Sequence, residues 1–132
     1  MIQKTYTIKT IGHFSAAHII PGHPGICARL HGHNFKVEVE IKAFQLNEIG
    51  ISIDFQDVKT ATKVLLEKLD HTHLNEVPPF DTLSPTAENI AQWFYQQLLP
   101  LFNFSHAKLN AITVWESDNN AVRYTEEGHA HD

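Results

Sequence analysis

Residues 27–44 decide how this chain folds, and they read Cys-Ala-Arg-Leu-His-Gly-His-Asn-Phe-Lys-Val-Glu-Val-Glu-Ile-Lys-Ala-Phe. From Phe35 to Ala43 every odd position is apolar and every even position is charged. This alternation is typical of a β-strand with one face in the core and the other in water. His31 and His33 share the odd positions, so the pattern predicts that both imidazoles lie on the buried face.

Two imidazoles placed two residues apart on one strand converge on a point in front of the sheet. Buried imidazoles need partners, and a metal ion is one solution. A third imidazole from a neighbouring strand would complete a three-histidine zinc site, whose open coordination position is typical of catalytic zinc. His18, which ends a run of small residues, is one candidate for that ligand. His13, His23 and His106 are others, and spacing alone does not choose among them.

Two amphipathic helices are predicted between the outer pairs of strands. Asp54 is a candidate N-cap for a helix over 55–69, and Ser84 or Thr86 for a second helix that Pro100 ends. The apolar stripes expected to face the core comprise Phe55, Val58, Ala61, Leu65, Leu66 and Leu69 in the first helix, and Ile90, Trp93, Phe94 and Leu98 in the second.

The predicted architecture is α+β, in the order β-β-α-α-β-β, with a four-stranded antiparallel sheet and both helices on one face. The strands are expected from Ile2 toward His18, from His31 to Phe44, from Lys108 to Trp115 and from Ala121 to Tyr124. A single domain over residues 1–126 and a flexible tail over residues 127–132 are expected. Because such a sheet has two open edges, pairing with further copies is favoured, and we expect a homo-oligomer.

Composition narrows the classes of function. The chain has 132 residues, 42% of them hydrophobic and 19% charged, which fits one globular domain. It contains no apolar run long enough to span a membrane and begins without a signal peptide, so a cytoplasmic protein is expected. The net charge of −5 and the absence of a basic cluster argue against nucleic acid or an anionic membrane as partner.

Three further groups are candidates for chemistry. Cys27, the only cysteine, lies in a Gly/Pro-rich stretch beside the proposed metal, although a lone cysteine is usually a small buried hydrophobe. Asp70 precedes His71, and a carboxylate can fix an imidazole's tautomer and raise its basicity. Alternatively, His71 interacts favourably with the dipole at the C-terminus of the first helix. A third interpretation is that Asp70, His71 and His73 form a second metal site. Glu116 can accept two hydrogen bonds from an N–C–N edge, or it can be an exposed residue at a strand end.

Taken in order, these motifs closely resemble the 6-pyruvoyltetrahydropterin synthase superfamily. The resemblance runs from about residue 8 to residue 124 and rests on the following segments: Phe14–His18, Cys27–His33, Asp54–Phe55, Leu69–His71, Leu74–Asn75, Pro85–Asn89 and Trp115–Glu116. It implies the tunnelling fold, assembled through its sheets into a barrel, most often a hexamer, with active sites between subunits.

The resemblance also implies a role for each motif residue. His18, His31 and His33 match the zinc ligands. Cys27 matches the general base, and Asp70 with His71 matches the proton relay. Glu116 matches the anchor of the pterin ring, helped by Thr86 at the start of the second helix, whereas Glu88 is expected to be an ordinary first-turn helix residue.

The implied substrate is 7,8-dihydroneopterin triphosphate. The three-residue spacer between Cys27 and His31 resembles the 6-carboxytetrahydropterin synthase branch, which releases acetaldehyde and triphosphate and forms 6-carboxy-5,6,7,8-tetrahydropterin for queuosine biosynthesis. The segment from Glu116 to Tyr124 resembles the pyruvoyl branch instead, which eliminates triphosphate and keeps the carbon skeleton. The remaining alternatives are a three-histidine oxygenase or hydrolase and a non-catalytic zinc- or pterin-binding module. Arg29 and Lys36 are candidates for contacts to the triphosphate.

Overall fold

A computed structural model describes residues 1–128 and contains one mixed β-sheet with two helices. The elements in chain order are β1 (Tyr6–His18), β2 (His31–Ala43), α1 (Phe55–Leu69), β3 (Thr72–His73), α2 (Ala87–Leu98), β4 (Ala107–Trp115) and β5 (Ala121–Tyr124). The α+β class and the order of the predicted elements are confirmed. Most of the predicted tail, with His129 and His131, lies outside the described residues.

The long pairing of β1 with β2 forms the centre of the sheet. The two strands are antiparallel over thirteen residues each, from Tyr6 opposite Ala43 to His18 opposite His31. The apolar side chains of β2 predicted to be buried, Phe35 among them, are at most 1% exposed. The alternation therefore predicted both the strand and its buried face.

The sheet has five strands, in the order β3-β1-β2-β4-β5, so the prediction of four antiparallel strands was wrong in one detail. The additional strand, β3, has two residues and runs parallel to β1 beside Ala16 and Ala17. The backbone N–H of Ser15 donates to the Asp70 carboxylate at 2.8 Å, and the Ser15 carbonyl accepts from the N–H of His71 at 2.6 Å. These contacts bring the chain beside β1, and a two-residue strand is too short to show a periodicity.

Both helices cover the apolar face of the sheet, α1 over β1 and α2 over β4 and β5. Asp54 caps α1 by accepting from the N–H of Gln56, as predicted. Thr86, rather than Ser84, caps α2 by accepting from the N–H of Asn89.

The prediction of the buried stripe on α1 was wrong at one residue, Phe55. Phe55 is 57% exposed, because in the first turn of α1 its side chain lines a surface groove with Tyr6 and Ile51 instead of entering the core. Thr62 is buried although it is polar, since its hydroxyl donates to the Val58 carbonyl at 2.7 Å. Neither helix in the described part of the chain is long and apolar enough to cross a membrane.

The opposite face of the sheet carries charged side chains paired across the strands. Glu40 on β2 is only 5% exposed and accepts two hydrogen bonds from Arg123 on β5, at 2.8 and 3.1 Å. The Arg123 hydrogen bonds lower the pKa of Glu40, against the opposing effect of burial. The buried carboxylate therefore depends on one bidentate partner.

Arg123→Ala tests this pair. Because the buried Glu40 carboxylate loses its partner, we expect the free energy of unfolding at neutral pH to fall by about 2 kcal/mol. Glu40 has a lowered pKa in the folded state, so its stabilisation is complete above the unperturbed value of about 4.3 and is lost as the pH falls through the folded-state pKa. Urea denaturation of wild type and variant should therefore differ at pH 7 and converge at acidic pH. An equal loss in a Glu40→Gln background, or a loss independent of pH, would contradict this account.

Candidate active site

Three histidines come together where β1 ends and β2 begins. His18 closes β1 directly opposite His31, and His33 lies opposite Ala16 on the same face of β2. The ring centroid of His18 lies 4.6 Å from that of His31 and 5.3 Å from that of His33. One nitrogen from each ring lies within 4.8 Å of the others, close enough for the three to share one ion. The antiparallel register thus assembles the site.

The other candidates for the third ligand lie elsewhere. His13 is opposite Lys36, on the charged face of the sheet. His23 accepts from the N–H of Gly25 through its own Nδ1, and His106 stacks on Phe104. The register of β1 and β2 separates His18 from His13, and His23 and His106 lie outside both strands, a distinction that the spacing in the sequence did not make.

Two of the ring tautomers are fixed by backbone carbonyls. His18 Nδ1 lies 2.7 Å from the Pro85 carbonyl, and His31 Nδ1 lies 2.7 Å from the Arg29 carbonyl. A carbonyl only accepts, so both Nδ1 atoms are protonated and donate, which leaves a lone pair on each Nε2. Such outer contacts are typical of metal-ligating histidines.

His18 shows most directly that this donor set fits a metal. Its side chain is fully buried, and its Nε2 has no hydrogen-bond partner within residues 1–128. A buried, unpaired nitrogen is costly unless an electrophile takes its lone pair. The three neutral imidazoles suit zinc and would leave a fourth coordination position for substrate.

Burial favours the neutral form of two of these imidazoles, His18 and His33. Burial lowers the pKa of His18, and the hydrogen bond to Pro85 opposes that effect. Burial also lowers the pKa of His33, and the nearby Glu116 carboxylate acts in the opposite direction. Neutral imidazole is the form that binds metal, so the environment favours coordination.

Glu116 lies on the histidine side of the sheet, directly after β4. It lines a 150 Å³ cavity with Glu88 and Ala87 from the first turn of α2 and with residues 120–122. Thr86 lies next to this cavity as the cap of α2, and its hydroxyl hydrogen is still available to donate. The cavity therefore presents two carboxylates, and that of Glu116 is near enough to His18 and His33 to act on their pKa. Sequence reasoning treated Glu88 as an ordinary helix residue and missed its place in the wall.

Asp70 and His71 form a connected pair at the edge of the sheet. The Asp70 carboxylate lies 2.9 Å from His71 Nδ1. The N–H of Ser15 holds the pKa of Asp70 below its ordinary value, and His71 adds to this effect. His71 adopts a left-handed conformation, with φ of 58°, that is costly for a residue with a side chain. His71 and His33 line a common cleft of 360 Å³.

Cys27 lies in a 3₁₀ turn over Ile26–Ala28 and is half-buried. Its carbonyl accepts from the N–H of Ile20 at 2.8 Å, which ties the turn to the segment that follows His18. Its thiol has no side-chain hydrogen bond to any residue that the structure describes. One subunit thus brings together the histidines and Glu116, whereas Cys27 does not line the cleft of His71.

Comparisons with known proteins show what this chain is similar to. A family model described as 6-pyruvoyl tetrahydropterin synthase matches residues 7–127. The chain is 47% identical over 85 residues to a putative 6-carboxy-5,6,7,8-tetrahydropterin synthase of Archaeoglobus fulgidus, covering 64% of this chain and 69% of that protein. It is 35% identical over 103 residues to the 6-pyruvoyl tetrahydrobiopterin synthase of Dictyostelium discoideum, covering 76% and 73% of the two chains. The solved structure of Caenorhabditis elegans 6-pyruvoyl tetrahydropterin synthase has a TM-score of 0.82 at 24% identity, covering 96% of this chain and 100% of that chain.

Zinc titration of the metal-free protein tests the histidine cluster. We expect zinc to raise the free energy of unfolding by about 2.7 kcal/mol when its free concentration is 100 times the dissociation constant. His33→Ala should abolish that increase, and because His33 is only half-buried, the variant should still fold. Denaturation with and without zinc measures both effects.

His13→Ala is the matched control, since it removes an imidazole from the opposite face of the sheet. All proteins in the comparison carry His129→Ala and His131→Ala, so that these C-terminal histidines contribute no binding. An equal response to zinc in the His33 and His13 variants would show that the ion binds elsewhere.

Proposed function

The chain belongs to the 6-pyruvoyl tetrahydropterin synthase family, and from this premise we propose that it is a zinc-dependent 6-carboxy-5,6,7,8-tetrahydropterin synthase. Its fold is the tunnelling fold of that family. The proposed reaction converts 7,8-dihydroneopterin triphosphate to 6-carboxy-5,6,7,8-tetrahydropterin, with release of acetaldehyde and triphosphate, as a step in queuosine biosynthesis. The observation that carries the proposal is the histidine cluster beside the Glu116 cavity.

His18, His31 and His33 would hold the zinc ion. When bound, zinc would polarise the hydroxyl oxygens of the substrate side chain and lower their pKa. Neutral imidazoles would leave the metal its full positive charge, since none of them carries a negative charge, and backbone carbonyls fix the tautomers of His18 and His31. The chain's own contribution would be to hold these nitrogens in place and, through burial of His18 and His33, to favour their neutral form.

Glu116 would anchor the pterin ring. A carboxylate that accepts two parallel hydrogen bonds matches the N–C–N edge of an aminopyrimidinone. The first turn of α2 forms the opposite wall of the cavity, and Thr86 would add a hydroxyl donor at that wall. In this position the ring would lie near the histidine cluster, and the side chain of the substrate would extend toward the metal.

Cys27, Asp70 and His71 would move protons. A thiolate near a positive charge is a competent base. Asp70 would hold the tautomer of His71 through the contact at Nδ1, and this leaves Nε2 to exchange a proton with the substrate. The strained backbone of His71 is consistent with a role in catalysis, since strain of this kind concentrates at functional sites.

A homo-oligomer would complete the site. Cys27 is not among the residues that line the cleft of His71 and His33. Residues 6–15 of β1 have no strand on their outer side among the residues described, which leaves an edge open for a second copy. Beside that edge lies an apolar groove of 300 Å³ lined by Tyr6, Ile51 and Phe55, among others. We therefore propose that active sites form between subunits.

A 6-pyruvoyltetrahydropterin synthase is the second candidate. The Dictyostelium discoideum relative carries that name, and the segment from Glu116 to Tyr124 resembles that branch. The three-residue spacer between Cys27 and His31 favours the carboxy branch. The products distinguish the two, because only the carboxy reaction breaks a carbon–carbon bond.

Incubation of zinc-loaded protein with 7,8-dihydroneopterin triphosphate tests the proposal. Mass spectrometry should detect 6-carboxy-5,6,7,8-tetrahydropterin, and an aldehyde assay should detect an equal amount of acetaldehyde. Cys27→Ala should lower kcat at least about 100-fold, because it removes the general base. A pyruvoyl product without acetaldehyde would support the second candidate, and tight pterin binding without turnover would indicate a binding module.

His71→Gly separates catalysis from stability in the same assay. Glycine relieves the strain at φ of 58°, so the free energy of unfolding should not decrease, whereas turnover should fall with the loss of the imidazole. If the variant kept full turnover, His71 would have no part in the proton relay.

A further inference from the structure

Asn75 makes a two-point contact with the backbone next to His18. Its Oδ1 accepts from the N–H of Ile19 at 2.8 Å, and its Nδ2 donates to the Ile19 carbonyl at 3.0 Å. The backbone groups fix this assignment, since the N–H can only donate and the carbonyl can only accept. One side chain thus satisfies both backbone groups of a residue 56 positions away.

This contact continues the strand pairing past the histidine. On the outer side of β1, β3 pairs with Ala16 and Ala17 and ends at His73. The amide of Asn75 then provides one further rung, at Ile19. The backbone is therefore held on both sides of His18 at the end of β1, at Ala17 by pairing with β3 and at Ile19 by the Asn75 side chain.

The ring of His18 is fixed from a second direction. Its Nδ1 donates to Pro85, and the carbonyl of the preceding residue, Ser84, accepts from the side chain of Asn89 at 2.9 Å. His18 therefore lies between two segments that are each held by an asparagine. Because the His18 side chain is fully buried, the positions of these two backbone segments determine the direction in which its Nε2 lone pair points.

We propose that Asn75 is a positioning residue of the metal centre, acting through the backbone of Ile19 on the direction of the His18 lone pair. The inference rests on the histidine site of the proposed function and adds a residue to it. Without the Asn75 amide, the end of β1 would fray and the His18 side chain would sample several positions. Metal binding would then have to order His18, and the conformational entropy lost in that step would weaken the metal affinity.

Asn47 offers a matched control for a purely structural role. Its Oδ1 accepts from the backbone N–H groups of Ile49 and Ile51, both at 3.0 Å, in an exposed loop between β2 and α1. Asn47→Ala therefore removes the same number of contacts from side chain to backbone as Asn75→Ala. None of the three metal-ligating histidines lies within ten residues of it in sequence.

The experiment measures zinc affinity of the full chain by competition with a chelator. Asn75→Ala should weaken zinc binding about 10- to 100-fold, whereas Asn47→Ala should leave it within about twofold of wild type. Asn75→Asp is nearly isosteric and keeps the acceptor for the Ile19 N–H but not the donor, so its affinity should lie between wild type and Asn75→Ala. It also keeps the test decisive if the alanine variant fails to fold.

The tautomer of His18 gives a readout independent of affinity and activity. In metal-free wild type, nitrogen NMR of the imidazoles should show Nδ1 protonated in His18, and Asn75→Ala should show a mixture of tautomers. Zinc affinity of both Asn75 variants within about twofold of wild type would overturn the inference, and so would an equal loss in Asn47→Ala. If wild type itself bound no zinc, the proposed metal site would fail, and the inference with it.

Discussion

The register of β1 against β2 is the constraint on which the rest of this structure depends. Pairing Phe14 with Phe35 stacks the two rings, with centroids 4.6 Å apart, in the core. The same register, continued four residues further, places His18 opposite His31 at the end of the two strands. A slip of one residue would exchange the faces of the strand and bury the charged residues of β2. Core packing and site assembly thus depend on the same alignment.

The apolar core adjoins the histidine cluster and affects the protonation of its imidazoles. Phe35 contacts the rings of both His18 and His33, so apolar side chains close one side of the cluster. That burial keeps the imidazoles neutral, while the Glu116 carboxylate favours positive charge nearby. A cation placed there would satisfy both the unpaired Nε2 of His18 and the field of the carboxylate, which is why the geometry suits a metal better than three hydrogen-bonded histidines.

The sequence predicted what periodicity and capping determine. The odd positions of β2 fixed its buried face and placed His31 and His33 together, and Asp54 marked the start of α1. Phe55 was misjudged because a helical stripe does not tell which of its residues line a surface groove instead of the core. The choice of His18 over His13 needed the register of two strands, since the two histidines lie on opposite faces of the same strand.

Other parts of the site had no signal in the local sequence. The Pro85 carbonyl that fixes His18 lies 67 residues away, and only the packing of the α2 start against β1 brings it there. The two-residue strand β3 depends on contacts of Ser15 with Asp70 and His71. Asn75 stood within a motif segment, but its contact with Ile19 emerges only from the folded chain.

X-ray absorption at the zinc edge, on protein loaded with one equivalent of zinc, tests the central claim most directly. An open three-histidine site predicts three imidazole nitrogens and one oxygen ligand at about 2.0–2.1 Å, with no sulfur in the coordination shell. A sulfur ligand at about 2.3 Å would contradict the account, because Cys27 would then close the metal site instead of acting as a base.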